Sequence, residues 1–251
     1  MKKFFKIFTV SLVILCLATN IGFLIYANIY YKAIDVDDYL KTDDYVTVTE
    51  TNDYISFMPN EGNAKTGYIF YPGAKVEEKA YSELMYNLAK LNIFAAIVKM
   101  PLRFAFFNVD GAKKVLNDYS DKVDHFYIGG HSLGGAMSTV YLDINQDAFD
   151  GFILLGAYTI KDFSSNDKLW GLTIYGSNDY VLNRNNYAKA KEKMPSHNYE
   201  YIIDGGNHAN YASYGNQNGD GEATITRSKQ ISLTVFKIVE FITLNQLTLI
   251  V

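Results

Sequence analysis

The first apolar stretch of the chain is long and uncharged. Residues 7–31 contain no charged side chain and are rich in Ile, Leu, Val and Phe. As a helix, these 25 residues would extend about 37 Å, enough to cross a hydrocarbon core of about 30 Å with some tilt. The few polar side chains inside the stretch are uncharged, and a helix satisfies its own backbone amides in lipid. The pattern therefore predicts one N-terminal transmembrane helix.

Charge is distributed unequally around this stretch. Three lysines lie among the first six residues, whereas three aspartates lie between residues 35 and 38 with only Lys32 before them. The positive-inside rule predicts a single-pass protein of the cell membrane, with its N-terminus in the cytoplasm and its remaining domain extracytoplasmic. A cleaved signal peptide is the alternative, since Cys16-Leu17-Ala18 offers a small-x-small site. The apolar run continues well past that site, which favours the uncleaved anchor.

Beyond residue 34 the pattern changes to short β-rich runs that alternate with amphipathic helices. Two runs separated by a polar turn, 46–49 and 54–58, predict an antiparallel hairpin. The strands predicted after it are 67–71, 93–98, 125–128, 152–155, 172–175 and 199–203, and the predicted helices are 77–91, 110–119, 133–144, 186–193 and 228–244. This order predicts an α/β fold: a mainly parallel central sheet with helices on both faces. We expect an anchor over 1–34 and a single domain over 35–251.

Charge and cysteine content exclude several classes of function. Four of the 23 Lys and Arg residues precede residue 35, so 19 face all 27 Asp and Glu, and the domain carries a formal charge of −8. This charge disfavours nucleic acid as a partner, because its phosphates would be repelled. Cys16 is the only cysteine and lies in the predicted span. The domain therefore has neither a thiol nucleophile nor a Cys-based zinc site, and we predict no cofactor or metal.

A nucleophile motif lies between a predicted strand and a predicted helix. Gly130-His131-Ser132-Leu133-Gly134 fits G-x-S-x-G and follows the apolar strand 125–128. A serine at such a turn is held in a strained backbone that exposes its hydroxyl above the sheet edge, and the flanking glycines allow close approach of strand and helix. A glycine-rich helix start capped by Ser132 is the structural alternative. We predict that Ser132 is a nucleophile.

Serine is a poor nucleophile at neutral pH, so it needs a nearby base. Only His197 and His208 lie beyond the motif. His197 lies in a polar stretch that leads into the last strand, as expected of a solvated loop residue, whereas His208 follows that strand at the carboxyl end of the sheet, where ligands gather in open α/β folds. We predict that His208 is the base, and that His131 and His125 are structural.

The base needs an acid that fixes its tautomer and stabilises the imidazolium. Asp179 follows the strand before the one that leads to His208, which gives the chain order Ser, Asp, His that this arrangement uses. Asp162, after the strand next to the motif, and Asp204, close to His208 in sequence, are the alternatives. We predict that Asp179 is the acid.

A tetrahedral oxyanion needs two amide donors directed at it. The amide of Leu133, directly after the nucleophile, is one candidate. The second should come from the loop after the first long parallel strand, where Gly73 allows a tight turn. We predict that Ala74 supplies it, with an ordinary Pro-Gly turn as the alternative.

Five segments together resemble the α/β-hydrolase superfamily, in a branch similar to dienelactone-hydrolase-like proteins and bacterial membrane-anchored homologues. The segments are 70–74, 98–102, 130–135, 176–179 and 205–209, within a likeness that covers roughly residues 65–245. The resemblance implies that these five segments, in that order, carry the oxyanion loop, the pocket wall, the nucleophile, the acid and the base. Dienelactone hydrolases use a cysteine nucleophile where this chain has Ser132, so the resemblance does not extend to their substrate.

These features predict a serine hydrolase that cleaves carboxylic esters of modest size through an acyl-enzyme, with a small-molecule acyl ester as its partner. An acyltransferase with the same triad, or a non-catalytic anchored binding module, is the alternative. The apolar segment 100–107 could line an acyl pocket or pack on the sheet, and the short gap between strands 152–155 and 172–175 leaves little room for a cap. Residues 216–221 resemble a calcium loop, but its twelfth position is Arg227 where a bidentate Glu is needed.

Overall fold

The computed structural model describes residues 2–61 and 64–249, and the chain divides into two compact units between Tyr30 and Tyr31. The first unit contains a single helix, α1 (Lys2–Asn28), whose large apolar side chains are exposed. It is long and apolar enough to cross a membrane. The predicted span reached residue 31, but Tyr31 belongs to the second unit, where its amide donates to Lys75 O at 2.8 Å. The helix therefore ends before the predicted boundary.

The second unit contains an eight-stranded sheet with helices between its strands. Its strands are β1 (Val46–Glu50), β2 (Tyr54–Pro59), β3 (Thr66–Tyr71), β4 (Ile93–Val98), β5 (His125–His131), β6 (Gly151–Leu155), β7 (Trp170–Gly176) and β8 (His197–Ile203). Its helices are α2 (Ser82–Lys90), α3 (Ala112–Tyr119), α4 (Leu133–Asp143), α5 (Arg184–Ala190) and α6 (Arg227–Leu249). The predicted elements are all present, and most differ from the prediction only at their ends.

The strands lie in the order β1-β2-β4-β3-β5-β6-β7-β8. The first two form the predicted antiparallel hairpin, and β2 pairs with β4 in the same antiparallel sense. All other neighbours are parallel. The carboxyl ends of β3, β5, β6, β7 and β8 consequently lie along one edge of the sheet, and the segments that follow these strands carry every residue predicted to take part in catalysis.

Two apolar layers cover the two faces of the sheet. Side chains of α2 and α6, such as Leu84 and Ile238, pack with the sheet residues that point to one face, and side chains of α3 and α4, such as Val115 and Leu142, pack with those that point to the other. Strand β3 is buried along its whole length, as expected of a central parallel strand. These contacts confirm the predicted α/β fold with helices on both faces.

Helix α6 begins at Arg227 and extends to Leu249, five residues past the predicted end. It is long and apolar enough to pass the same length-and-composition test as α1, yet Ile231, Val235 and Ile238 on one of its faces are buried in the domain core. Gln230, also fully buried, accepts from the amide of Asn207 at 3.0 Å and donates to the carbonyl of Asn207 at 2.7 Å. The helix therefore also holds the loop that follows β8.

Candidate active site

Ser132 lies at the junction of β5 and α4, where the strand passes directly into the helix. Its φ of 53° and ψ of −125° give it a strained backbone, at a cost on the order of 1–3 kcal/mol for a residue other than glycine. The Ser132 amide donates to Leu155 O at 3.0 Å, which ties the turn to the end of β6. The side chain is half-buried. This is the backbone geometry that the motif predicted.

The glycines of the motif are required by close packing around this turn. A Cβ added at Gly134 would lie 2.2 Å from Pro72 O, and one added at Gly130 would lie 2.3 Å from Tyr71 O. Both contacts are shorter than any carbon side chain tolerates. The absence of side chains at these positions brings the turn after β3 against the start of α4.

His208 and Asp179 form a buried pair on the loops after β8 and β7. His208 Nδ1 lies 2.9 Å from Asp179 Oδ2, and both side chains are almost completely buried. The other carboxylate oxygen of Asp179 accepts the amides of Val181 and Leu182 at 3.0 and 2.8 Å. Because carboxylate oxygens here act as acceptors, His208 donates through Nδ1–H, and in a neutral imidazole this leaves Nε2 as the acceptor that a general base needs.

The backbone around this pair is arranged for its close approach. Gly156, directly after β6, has a φ of 51°, and a Cβ there would lie 2.9 Å from His208 Nδ1 and 3.0 Å from Asp179 Oδ2. Arg184 donates to the carbonyls of Gly176 and Asp179 at 3.0 and 3.3 Å, which supports the loop that carries the acid. The sequence analysis did not single out either residue, and the position of Gly156 directly after a buried strand was the only available signal.

Ser132 and His208 line the same cavity, of about 230 Å³. The rest of the lining is mostly small or aliphatic and consists of Leu133, Ala136, Gly156, Ala157, Tyr158, Val181, Leu182 and Asn183. His208 Nε2 is buried and has no hydrogen-bond partner among residues 2–61 and 64–249. Cavities of about 640 and 650 Å³ lie elsewhere, so the convergence of these two side chains, rather than cavity size, identifies the site.

The two amides predicted to bind an oxyanion lie on segments that touch each other. Leu133 is the first residue of α4, so its amide precedes the first hydrogen bond within the helix. The Ala74 amide is not among the paired backbone donors in the part of the chain that the structure describes. Ala74 lies in the turn after β3, whose Pro72 carbonyl is packed against Gly134. Both amides are therefore available at the edge of the sheet beside Ser132.

The alternative residues lie outside this cluster. The exposed Asp162 accepts from its neighbour Ser164 at 3.0 Å, and Asp204 is exposed. His197 is exposed and stacks on Trp170, with ring centroids 4.8 Å apart, and His125 pairs with Asp150 at 2.9 Å. The lining of the cavity includes neither these residues nor the segment 100–107 that was considered for an acyl pocket.

A second buried histidine lies beside the base. The ring centroids of His131 and His208 are 4.4 Å apart, and His131 Nδ1 lies 2.8 Å from the Tyr81 hydroxyl oxygen. That hydroxyl also accepts the Gly73 amide at 3.0 Å, so it links the turn after β3 to the nucleophile motif. Burial lowers the pKa of His131 well below its usual range, and the nearby His208 lowers it further. The sequence analysis treated His131 as merely structural, and no sequence signal indicated Tyr81.

A sequence model of the alpha/beta hydrolase family matches residues 67–232, which is more than half of the chain. This segment runs from β3 to α6 and includes Ser132, Asp179 and His208. The chain belongs to the alpha/beta hydrolase family. No functionally curated protein matches it significantly.

Solved structures show the same fold at low sequence identity. Est1E from Butyrivibrio proteoclasticus is 12% identical, with a TM-score of 0.57 over 80% of this chain and 100% of that one. BioJ, a Francisella virulence factor, is 13% identical, with a TM-score of 0.60 over 82% and 87%. A protein described as a predicted CIB-like hydrolase from Thermoplasma acidophilum is 16% identical, with a TM-score of 0.53 over 77% and 96%. At these identities the likeness establishes the fold.

We predict that His131 makes the domain sensitive to acid. The folded state keeps this imidazole neutral, whereas the unfolded chain binds a proton near pH 6.5, so stability present above pH 6.5 is lost as the pH falls below it. Replacing His131 with Asn should reduce the loss of unfolding free energy between pH 7 and pH 5 by about 2 kcal/mol. Urea unfolding followed by circular dichroism at both pH values measures this difference.

The matched control is His197→Asn, which removes an exposed imidazole. This variant should lose as much unfolding free energy between the two pH values as the unsubstituted chain does. An equal acid sensitivity of the His131→Asn variant and the unsubstituted chain would show that the buried imidazole titrates normally.

Proposed function

We propose that the chain is a serine hydrolase that cleaves carboxylic esters of modest size through an acyl-enzyme. Ser132 attacks the ester carbonyl while His208 takes its proton, Asp179 stabilises the resulting imidazolium, and the amides of Leu133 and Ala74 bind the oxyanion. The alcohol then leaves with the proton from His208, and His208 activates water to release the acid. The observation that supports this proposal most is the 2.9 Å His208–Asp179 pair: His208 lines the same cavity as Ser132, and its Nε2 has no hydrogen-bond partner among the described residues.

The cavity supports a small acyl substrate. Its lining is largely aliphatic, which suits an acyl chain, and its volume of about 230 Å³ is modest. The segment between β6 and β7 contains neither helix nor strand, so it forms no cap over Ser132. Membership of the alpha/beta hydrolase family supports hydrolysis, and a structural neighbour described among the metagenome-derived lipolytic enzymes LipS and LipT is consistent with esters as substrates.

We also propose that the N-terminal helix anchors the chain and that the second unit, which begins at Tyr31 and not at the predicted residue 35, forms the catalytic domain outside the cytoplasm. The exposed apolar surface of α1 and the lysines before residue 7 support this arrangement. The proposed substrate would then be an ester that reaches the outer side of the cell membrane.

Replacing Ser132 with Ala should lower the hydrolysis of p-nitrophenyl acetate by about 10⁴-fold or more, because the acyl-enzyme cannot form. The unfolding midpoint should not fall, since the half-buried side chain has no hydrogen-bond partner among residues 2–61 and 64–249. A fluorophosphonate should label the full-length chain in detergent, and mass spectrometry should locate the label on Ser132. The control variants Asp162→Asn and His197→Asn should keep their activity. Absence of labelling in the unsubstituted chain would favour a non-catalytic binding module.

The Ala74 amide can be tested by two matched substitutions. Ala74→Pro removes the N–H, and because Gly73 precedes it, the backbone restriction that proline places on its neighbour is tolerated. We expect a loss in kcat of about 10²- to 10³-fold, the usual effect of removing one oxyanion donor. Ala74→Gly keeps the N–H and should keep kcat within about threefold of the unsubstituted value. Similar kcat values for the proline and glycine variants would exclude this amide from the oxyanion site.

The anchor is tested by the size and location of the chain in a bacterial expression host. An uncleaved anchor predicts that the full-length chain stays in membranes extracted with alkaline carbonate. Protease added to intact spheroplasts should digest the domain while a cytoplasmic control protein survives. A soluble chain shortened by the first 18 residues would show cleavage after Ala18 instead. A protected domain would contradict the proposed orientation.

A further inference from the structure

Residues 216–222, which we call the clasp, connect the two loops that carry Asp179 and His208. Asn178 Nδ2 donates to Glu222 O at 2.8 Å, and Asn207 Nδ2 donates to Gly221 O at 2.9 Å. A Cβ at Gly221 would lie 2.1 Å from Asn178 O, so the clasp is packed directly on the acid loop. The clasp contains neither helix nor strand, and these polar contacts define its position.

The carboxylate of Asp220 is the centre of the clasp. Its Oδ2 accepts the amide of Ala209 at 2.9 Å, and its Oδ1 accepts the amide of Tyr180 at 3.3 Å. Ala209 directly follows His208, and Tyr180 directly follows Asp179. One partly buried carboxylate therefore holds the residue after the base and the residue after the acid.

We propose that Asp220 is a positioning residue that fixes the base loop relative to the acid loop; this inference rests on the function proposed above. His208 and Asp179 lie 29 residues apart on separate loops, and their 2.9 Å contact requires both loops to keep their places. Hydrogen bonds to a charged acceptor are about twice as strong as neutral ones, so Asp220 suits this task. Asp220 does not line the cavity beside Ser132, so it acts through the two loops and not on substrate.

The contacts of Asp220 disfavour a cation at the clasp, whose sequence resembles a calcium loop. Both carboxylate oxygens of Asp220 already accept backbone amides, and a cation would have to displace those donors. Asn216 and Asn218 are exposed and lie before this carboxylate in the chain.

The test compares Asp220→Ala and Asp220→Asn with a matched control in the full-length chain in detergent. Asp204→Asn removes the same charge from the same base loop, at an exposed side chain. Asp220→Ala should lower kcat for p-nitrophenyl acetate and the rate of Ser132 phosphonylation by about 10- to 100-fold, the effect of misplacing reacting groups by up to about 1 Å. KM should change less than about twofold. Asp220→Asn, which keeps one acceptor oxygen, should lose about three- to tenfold, and Asp204→Asn should change neither rate.

The readout is the rate per active site, with sites counted by complete fluorophosphonate labelling. A merely structural role would lower the unfolding midpoint and the number of sites while each remaining site kept its rate, and that result would overturn the proposal. If Asp220→Ala does not fold, a rate per site at least threefold lower in Asp220→Asn supports the proposal and an unchanged rate overturns it. An unlabelled Ser132 in the unsubstituted chain would instead refute the proposed function, so the two failures are distinct.

Discussion

The strained backbone at Ser132 is the constraint on which the rest of the site depends. Its positive φ costs free energy, so the surroundings must hold it from several sides at once. The hydrogen bond from the Ser132 amide to Leu155 O fixes the turn to β6, and the missing side chains at Gly130 and Gly134 let the segment after β3 close against α4. The same close approach packs the turn that contains Ala74 against the first turn of α4, which begins at Leu133. The proposed oxyanion site would therefore depend on the packing that also maintains the strain.

Burying two imidazoles and a carboxylate behind this turn is costly unless their polar atoms are paired. Asp179 accepts three hydrogen bonds, and the Tyr81 hydroxyl pairs with both His131 and the Gly73 amide. Two buried ring nitrogens of the described residues have no hydrogen-bond partner, His131 Nε2 and His208 Nε2. His208 lines the cavity beside Ser132, so its Nε2 is the one that the proposed proton transfer from the Ser132 hydroxyl would use.

The sequence was sufficient for the fold and for the gathering of the candidate site residues at one edge of the sheet, because both follow from regular patterns. Buried strands that alternate with amphipathic helices require a parallel sheet, and a parallel sheet gathers the ends of its strands at one edge. Residues such as Ser132 and Asp179, each directly after a strand, therefore had predictable neighbours. Tyr81 and Asp220 did not, because they reach the site from segments whose place is set by side-chain contacts and not by periodicity. Element ends shifted for a similar reason: tertiary contacts extended β7 and α6 beyond their local signals.

The loop that carries His208 shows how the position of the proposed base depends on contacts with the core. Gln230, fully buried on α6, bonds to both the amide and the carbonyl of Asn207, the residue before His208. Asp220 holds Ala209, the residue after it. His208 thus lies between two residues that are held by hydrogen bonds. Asn207 is bonded to Gln230 of α6, and Ala209 is bonded to Asp220, which also accepts the amide of Tyr180 beside Asp179. These hydrogen bonds come from different parts of the fold. The position of the His208 imidazole should therefore depend both on the packing of α6 and on the contacts of residues 216–222.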